Sequence, residues 1–217
     1  PQAHAIMSVR SASKISDREG GGIMHVYPPD ASFGHAVARV DVNGDGFPEL
    51  AVGAFADDDY RGALYLVFIG SDGRVTRDVR IDSNEGGLSA AGQGFDIRRD
   101  DRFGSCVTSL GDLNGDGLED LMVGLSGRGA WTGSESGHVW ILSMNPDGTV
   151  HSGLSSIGQG EGGLDALLGT ADNFGSSCAT LDATLDLGGT VNVAVGAASH
   201  NDRTDYPDAH VYTGAVH

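Results

Sequence analysis

Two segments of the chain carry the same spacing of oxygen-bearing side chains. One reads DVNGDGFPE from Asp41 and the other reads DLNGDGLED from Asp112, with oxygen-bearing side chains at positions 1, 3, 5 and 9 and glycine at position 6. Glycine permits the sharp turn that folds these side chains toward one point, and Ca²⁺ takes about six to eight oxygen ligands. The spacing therefore predicts two Ca²⁺ sites. Their ligands would be the side chains of Asp41, Asn43, Asp45 and Glu49 with the Phe47 carbonyl, and the side chains of Asp112, Asn114, Asp116 and Asp120 with the Leu118 carbonyl.

The loops differ from an EF-hand, which has flanking helices and a glutamate at position 12, because that position is Val52 in the first loop and Val123 in the second. A simpler interpretation is a tight hairpin, since Asn-Gly and Asp-Gly are strong turn formers. Four ligand positions repeated at identical offsets favour the metal site over the plain turn. A third segment, from Asp182, keeps Thr184 and Asp186 but loses the glycine-rich middle, so we expect a degenerate loop that turns without holding the ion.

The loops belong to a longer internal repeat. Phe-Gly pairs begin at Phe33, Phe103 and Phe174, with spacings of 70 and 71 residues. Each pair is followed by a loop rich in glycine and aspartate, a segment containing Val-Gly, an alternating segment and, in the first two repeats, a weaker fourth segment. Four short strands per repeat are typical of a propeller blade, and such units bury their faces only against neighbours.

The predicted fold is therefore all-β, built from blades of four antiparallel strands, since no window keeps a helical period of apolar residues. We predict one propeller-like domain over residues 1–217, with a partial blade at 1–32 and repeats at 33–102, 103–173 and 174–217. Known propellers have about four to eight blades. Two explanations remain open: the chain is a portion of a larger propeller, or copies associate and complete a blade by lending a strand.

Composition excludes several classes of partner. A net charge of −17 disfavours nucleic acid and anionic lipid, and no run of 18 apolar residues is present that could insert into a membrane. The first residues also lack the pattern of a signal peptide. The 8 histidines show no metal-ligand spacing and no nucleophile has a matched base, so we predict a protein that is not an enzyme.

Three further features carry expectations. Cys106 and Cys178 follow their Phe-Gly pairs at different offsets, and we expect two buried thiols, with a disulfide as the alternative. Residues 57–59 are three consecutive aspartates, and a solvated loop or a supplementary cation contact is favoured there over a carboxylate dyad. Trp131 lies in a long segment rich in Ser, Thr and Gly and is the candidate for contact with a ligand, although it fits equally well between blades.

Together, the Phe-Gly pair, the D-x-N-G-D-G-x-x-[ED] loop and the Val-Gly segment resemble the FG-GAP repeats of integrin α-subunit β-propellers and their relatives. The resemblance covers nearly the whole chain. It implies a propeller with structural Ca²⁺ in loops on one face, held between the first and second strands of a blade. It supports the fold and the metal more specifically than any partner.

Three functions follow as hypotheses. The first is a calcium-stabilised recognition or adhesion module, extracellular or at the cell surface, that binds a protein or a glycan. The second is a structural subunit whose copies assemble through blade-to-blade contacts or strand exchange into a fibre or sheath. The third is a non-catalytic accessory propeller of a larger enzyme.

Overall fold

The computed structural model describes residues 14–15, 28–90, 92, 95–127, 136–164, 168–169, 172–182 and 191–198, and the main chain of residues 209–216. Within these residues, antiparallel strands form three sheets. The first sheet contains β1 (Ala36–Val40), β2 (Glu49–Ala54), β3 (Ala63–Ile69) and β4 (Val75–Ile81). The second contains β5 (Phe103–Gly111), β6 (Asp120–Leu125), β7 (His138–Met144) and β8 (Val150–Gly158). The third contains β9 (Phe174–Asp182), β10 (Val191–Ala198) and β11 (Ala209–Val216).

In the two four-stranded sheets each strand pairs with the next one in the sequence, in the orders β1-β2-β3-β4 and β5-β6-β7-β8. This arrangement confirms the predicted all-β fold and the four-stranded blades. The only helical elements of the described residues are the short turn Asp57–Tyr60 and the 3₁₀ turn Leu88–Ala90. No helix in this part of the chain is long and apolar enough to cross a membrane.

The core lies between the sheets rather than within any one of them. Every residue of β7 is buried, because the first and third sheets cover the two faces of the second. Every residue of β3 except its last is also buried, with the second sheet on one face and side chains that include Ile15, Ala31 and Phe33 on the other. One apolar cluster joins the first and second sheets, and its largest members include Leu64, Phe103 and Trp140. A second cluster joins the second and third sheets around Met122 and Phe174. Burial of each such side chain contributes about 1.5–3 kcal/mol, so the blades stabilise one another.

Paired glycines set how closely consecutive sheets approach. A side chain at Gly53, in the Val-Gly segment of the first sheet, would collide with the carbonyl oxygen of Gly104, in the Phe-Gly pair of the second. The same collision would occur between Gly124 and Gly175 at the next junction. Gly104 and Gly175 also have φ values of 84° and 86°, a backbone region that favours glycine. Both glycines of the repeat are therefore required by one main-chain contact.

The residue before each Phe-Gly pair has the same unusual backbone. Ser32, Arg102 and Asn173 have φ values of 58°, 59° and 54°, and the carbonyl of each accepts a hydrogen bond at 3.1 Å from the N–H three residues later. The amides of Phe103 and Phe174 then donate, each at 2.8 Å, to carbonyls of the preceding sheet's connection. Each sheet therefore begins with a left-handed turn, and in the second and third sheets this turn docks on the sheet before it.

The expectation of two free thiols is wrong, because Cys106 in β5 and Cys178 in β9 form a disulfide with a Cα–Cα distance of 5.7 Å. The different offsets explain it. In the third sheet Ser177 pairs with Gly196, the position that corresponds to Gly124 of the second sheet, so Cys178 lies one residue further along its strand than Cys106 does. Side chains one residue apart point to opposite faces of a sheet. The two cysteines therefore face each other across the junction.

We expect loss of this bridge to lower the free energy of unfolding by about 2–4 kcal/mol, because it closes a loop over a sequence separation of 72 residues. Urea denaturation of the Cys106→Ala, Cys178→Ala double variant measures the change. The wild type in excess reductant is the matched control and should match the double variant. Two titratable thiols in the unfolded, non-reduced wild type would contradict the bridge.

Asp101 is a fully buried carboxylate at the entry to the second sheet. Its Oδ2 accepts a hydrogen bond from the Arg98 amide at 2.7 Å, but its Oδ1 has no partner. Burial is the main cause that raises the pKa of this carboxyl to about 6, against an ordinary value of 3.8. The folded chain therefore binds a proton between pH 6 and pH 4 that the unfolded chain does not bind, so this group favours folding as pH falls through that window.

We expect Asp101→Asn to raise the free energy of unfolding by about 1–3 kcal/mol at pH 8, where the wild-type carboxylate is charged, and to have little effect near pH 4. Thermal melts across this pH range provide the measurement. Asp100→Asn, next to it but exposed, is the control and should show no such pH dependence. If Asp101→Asn instead lowered the free energy of unfolding equally at pH 8 and at pH 4, the charge of the Asp101 carboxylate would not be what destabilises the wild type.

Candidate calcium-binding loops

Both acidic loops join the first strand of a sheet to the second. The first loop, residues 41–48, connects β1 to β2, and the second, residues 112–119, connects β5 to β6. These are the positions that the repeat predicts. The third segment lies largely outside the described residues: β9 ends at Asp182, and Thr184 and Asp186 are not described. Trp131 also lies outside the described residues.

In the first loop, side-chain oxygens fold the chain through hydrogen bonds to main-chain amides. Asp41 Oδ2 accepts from Gly46 at 2.9 Å, Asn43 Oδ1 accepts from Asp45 at 2.9 Å, and Asp45 Oδ1 accepts from Phe47 at 2.7 Å. The Phe47 side chain is 62% exposed at the tip. The predicted ligand positions 1, 3 and 5 therefore all turn inward.

Glu49 closes this loop from its base. It is the first residue of β2 and is only 3% exposed. Its Oε2 accepts from the Val42 amide and its Oε1 from Asn43 Nδ2, both at 3.1 Å. The predicted ninth ligand thus reaches back across the loop to its second and third residues.

The second loop repeats this arrangement. Asp112 Oδ1 accepts from the amides of Gly115 and Asp116, and its Oδ2 accepts from Gly117 at 2.8 Å. Asn114 Oδ1 accepts from Asp116 at 2.8 Å, and Asp116 Oδ1 accepts from Leu118 at 2.9 Å. Asp116 therefore holds the turn at Leu118 in the same way as Asp45 holds the turn at Phe47.

Asp120 takes the place of Glu49 in this second loop. It is the first residue of β6 and is fully buried. Its Oδ2 accepts from the amides of Leu113 at 2.9 Å and Asn114 at 3.1 Å. The shorter aspartate therefore caps two loop amides, whereas the longer glutamate caps one amide and one side chain.

These hydrogen bonds are also those of a plain hairpin, and among the described residues no three His, Cys, Asp or Glu side chains converge on one point. Two carboxylate oxygens remain unexplained by a hairpin. Asp41 Oδ1, at the first position of the first loop, and Asp120 Oδ1, at the ninth position of the second, are buried without a hydrogen-bond partner. Such an oxygen costs about 1–3 kcal/mol, a cost that a bound cation would remove. The donors are all oxygen, which fits Ca²⁺.

The electrostatics of the two loops favour a cation as well. Burial raises the pKa of Glu49, and the charges of Asp45 and Asp41 raise it further, against the opposing hydrogen bond from Val42. Burial likewise raises the pKa of Asp120 to about 6, with added repulsion from Asp116 and Asp112. The carboxylates at positions 1, 5 and 9 therefore destabilise one another when all are ionised, and a divalent cation would offset that repulsion.

Sequence reasoning missed one residue at this end of the sheets. Glu119, at the eighth position of the second loop, accepts a hydrogen bond from the Asp41 amide at 3.1 Å through Oε2. Its own amide donates to the Asp41 carbonyl at 3.3 Å. The two residues are 78 positions apart, so no pattern within one repeat could reveal the contact.

The run of aspartates at residues 57–59 is not a uniformly solvated loop, and that interpretation is wrong for its first member. Asp57 is 1% exposed and accepts a hydrogen bond from Tyr65 at 3.0 Å. Arg80 Nη2 lies 3.2 Å from Asp57 and 2.9 Å from Asp82. Burial and the neighbouring Asp57 raise the pKa of Tyr65. The cluster is a network of ion pairs and hydrogen bonds inside the first blade.

Sheets of this order, glycine-paired junctions and acidic loops between first and second strands define blades of the FG-GAP β-propeller class. The family model described as FG-GAP repeat matches residues 33–67 and 107–142. These two segments are FG-GAP repeats, as the sequence predicts.

Similar proteins agree with this assignment. Integrin alpha-8 of Mus musculus is 31% identical over 184 residues, which cover 81% of this chain and 14% of that protein. Integrin alpha-5 of Xenopus laevis is 34% identical over 133 residues, or 60% of this chain and 12% of that protein. Phosphatidylinositol-glycan-specific phospholipase D of Bos taurus is 34% identical over 114 residues, or 50% of this chain and 12% of that protein. The chain thus spans only a small part of each relative's length.

Proposed function

We propose that this chain is a calcium-stabilised β-propeller segment that acts outside the cell as a recognition or adhesion module for a protein or a glycan. The observation that carries the proposal is the pair of all-oxygen loops at equivalent positions of two FG-GAP blades, with unpaired buried oxygens at Asp41 and Asp120. Similarity to integrin alpha subunits over most of the chain supports it.

The ligands of the two ions would be those that the loop spacing predicts. In the first loop they are Asp41, Asn43, Asp45, the Phe47 carbonyl and Glu49, and in the second they are Asp112, Asn114, Asp116, the Leu118 carbonyl and Asp120. Bound Ca²⁺ would supply positive charge and rigidity. The chain's own part is to hold Glu49 and Asp120 at the start of a buried strand, so that the ninth position is fixed before an ion arrives.

An extracellular location is supported by the disulfide between Cys106 and Cys178. Disulfides persist in oxidising compartments and are rare in reducing ones. The bridge joins the first strands of two blades, β5 and β9, so reduction would weaken a junction on which the fold depends. The net charge of −17 also argues against nucleic acid as the ligand.

A groove of about 420 Å³ beside the first loop is the candidate recognition surface within the described residues. Phe47 is exposed on it, and Phe68, Thr76 and Arg77 form part of its wall. Arg77 lies over the Phe68 ring at 3.3 Å from its centroid, and its Nη1 donates to the Asp147 carbonyl at 2.6 Å. An exposed ring beside hydroxyl and amide groups suits a sugar face or a peptide side chain.

Self-association is a second candidate, supported by the two outermost sheets, each of which carries one half of a blade junction on its outer side. Gly196 of β10 occupies the position of Gly53 and Gly124, yet the nearest described atoms to a Cβ there belong to Ser177 and Ser176 of its own sheet. Gly34, the glycine of the first Phe-Gly pair, has no described atom within 4 Å of such a Cβ. Gly34 is the Phe-Gly half of a blade junction and Gly196 is the Val-Gly half. A further blade, from the same or another copy, therefore fits against either outer sheet.

A third candidate is an accessory role beside an enzyme. It is supported by the similarity to phosphatidylinositol-glycan-specific phospholipase D over half of this chain. The match covers 12% of that protein, and activity by this chain itself is not proposed.

We expect calcium titration of metal-stripped protein to reveal two sites per chain, and Asp45→Ala or Asp116→Ala to remove one site each. Because the ion binds only the folded loops, calcium at about a hundred times its Kd should stabilise the fold by about 2.7 kcal/mol per site and raise the Tm. Asp72→Ala is the control, since Asp72 makes a similar Asx turn to Arg74 outside the loops. A Tm that does not change with calcium would show that both loops are plain hairpins.

We expect ligand binding to depend on Phe47. Arrays of glycans and of extracellular proteins, probed with fluorescent wild type in calcium, would identify a ligand. Phe47→Ser removes the exposed ring while keeping the main-chain carbonyl, so it should lower ligand affinity about tenfold or more and leave calcium stoichiometry unchanged. Leu118→Ser, the same position of the second loop, is the matched control. Equal ligand affinity of Phe47→Ser and wild type would remove this groove as the recognition surface.

A further inference from the structure

The two acidic loops lie against each other, and one residue makes the polar contacts between them. Glu119 of the second loop binds both main-chain polar groups of Asp41 in the first: its Oε2 accepts from the Asp41 amide at 3.1 Å, and its amide donates to the Asp41 carbonyl at 3.3 Å. The Leu118 side chain also lies 3.5 Å from where a Cβ on Gly44 would be, so the loops pack together.

Glu119 is itself held in place. Ser109 Oγ donates to its Oε2 at 2.7 Å, and Arg39 Nη1 lies 3.6 Å from its Oε1. The glutamate side chain is 27% exposed, so its contacts are only partly screened by water. The carboxylate is therefore held by two hydrogen bonds, from Asp41 and Ser109, and by one ion pair with Arg39.

The place of Glu119 in the sequence makes this contact consequential. It lies between Leu118 and Asp120, two of the proposed ligands of the second loop, while Asp41 is the first ligand of the first loop. The eighth position of the first loop is Pro48, which has no amide N–H to donate. The reciprocal pair of hydrogen bonds is therefore made by Glu119 and is not repeated by its counterpart.

We propose that Glu119 is a positioning residue that couples the two calcium loops, so that an ion in either loop raises the affinity of the other. This inference rests on the proposed calcium binding. Asp120 is already fixed by its strand, so an ion in the second loop would restrict the turn up to Leu118, the neighbour of Glu119, and Glu119 would then hold Asp41 more firmly in the orientation that the first loop needs. Coupling between binding sites is reciprocal, so the first ion favours the second loop to the same degree.

Repulsion between the two bound ions opposes this effect. It is weakened by the carboxylates of each loop and by salt. We therefore expect net positive coupling at the low end of the usual range, about five- to tenfold in affinity.

The test is a thermodynamic cycle followed by NMR. The amides of Gly46 and Gly117, which bond Asp41 and Asp112 respectively, report each loop separately during titration with Ca²⁺ alone. In the wild type, disabling the second loop with Asp116→Ala should weaken calcium binding at Gly46 about five- to tenfold. In a Glu119→Ala background, the same substitution should weaken it by less than about twofold.

Two further variants separate coupling from general stability. Glu119→Gln keeps an oxygen acceptor for the Asp41 amide and should restore most of the coupling that Glu119→Ala removes. Glu161→Gln removes the same charge beyond the other end of the second sheet, after β8, and should leave the coupling unchanged. A purely structural role for Glu119 would lower the Tm of the metal-free protein without changing the ratio of affinities.

The outcomes are distinct. If both loops bind calcium and Asp116→Ala has no effect at Gly46 in the wild type, the coupling is wrong and the proposed function stands. If Asp116→Ala strengthens binding at Gly46, ion–ion repulsion dominates and the coupling has the opposite sign. If neither amide responds to calcium, both the coupling and the calcium-dependent part of the proposed function are overturned.

Discussion

The close approach of two glycines at each blade junction is the constraint on which the rest of the structure depends. Gly53 against Gly104 and Gly124 against Gly175 bring main chain to main chain, with no room for a Cβ. Only at that separation can the amides of Phe103 and Phe174 reach carbonyls of the preceding blade. The large apolar side chains then fill the space beyond the contact. The repeat motif thus reflects one kind of junction, in which the Val-Gly glycine belongs to one blade and the Phe-Gly glycine to the next.

The same junction explains why the acidic loops sit where they do. The first strand of each blade packs against the blade before it, so the turn to the second strand is forced to the end of that junction, beside the preceding blade's own turn. Glu119 reaches Asp41 for this reason. Many carboxylates are thereby crowded at one end of the sheets. Burial, and to a lesser degree the other carboxylates of the same loop, raise the pKa of Glu49 and of Asp120, which favours a cation.

The features that one sequence reveals here are those repeated within a unit. Spacing of the Phe-Gly pairs predicts the sheets and the loop positions, because each lies within one repeat and recurs. The disulfide, the burial of Asp57 and the role of Glu119 escape such reasoning because each depends on a partner in another strand or another blade. The offset of Cys178 differs from that of Cys106 and, within the sequence, disfavours a bridge. On a strand, however, this one-residue shift is what turns the Cys178 side chain toward the neighbouring sheet.

The connections at the two ends of the blades differ in how closely they repeat. At the end that carries residues 41–48 and 112–119, hydrogen bonds and the proposed ions hold short, nearly identical turns. At the opposite end, the second and third strands are joined by segments of unequal length, residues 55–62 and 126–137, which share little sequence. The paired glycines, the disulfide and the loop contacts fix the sheets, and the ends of these connections take part as well, because Arg61 and Ser136 accept hydrogen bonds from the amides of Phe103 and Phe174. Only the residues of each connection that lie before these acceptors are therefore free to change without disturbing a blade junction.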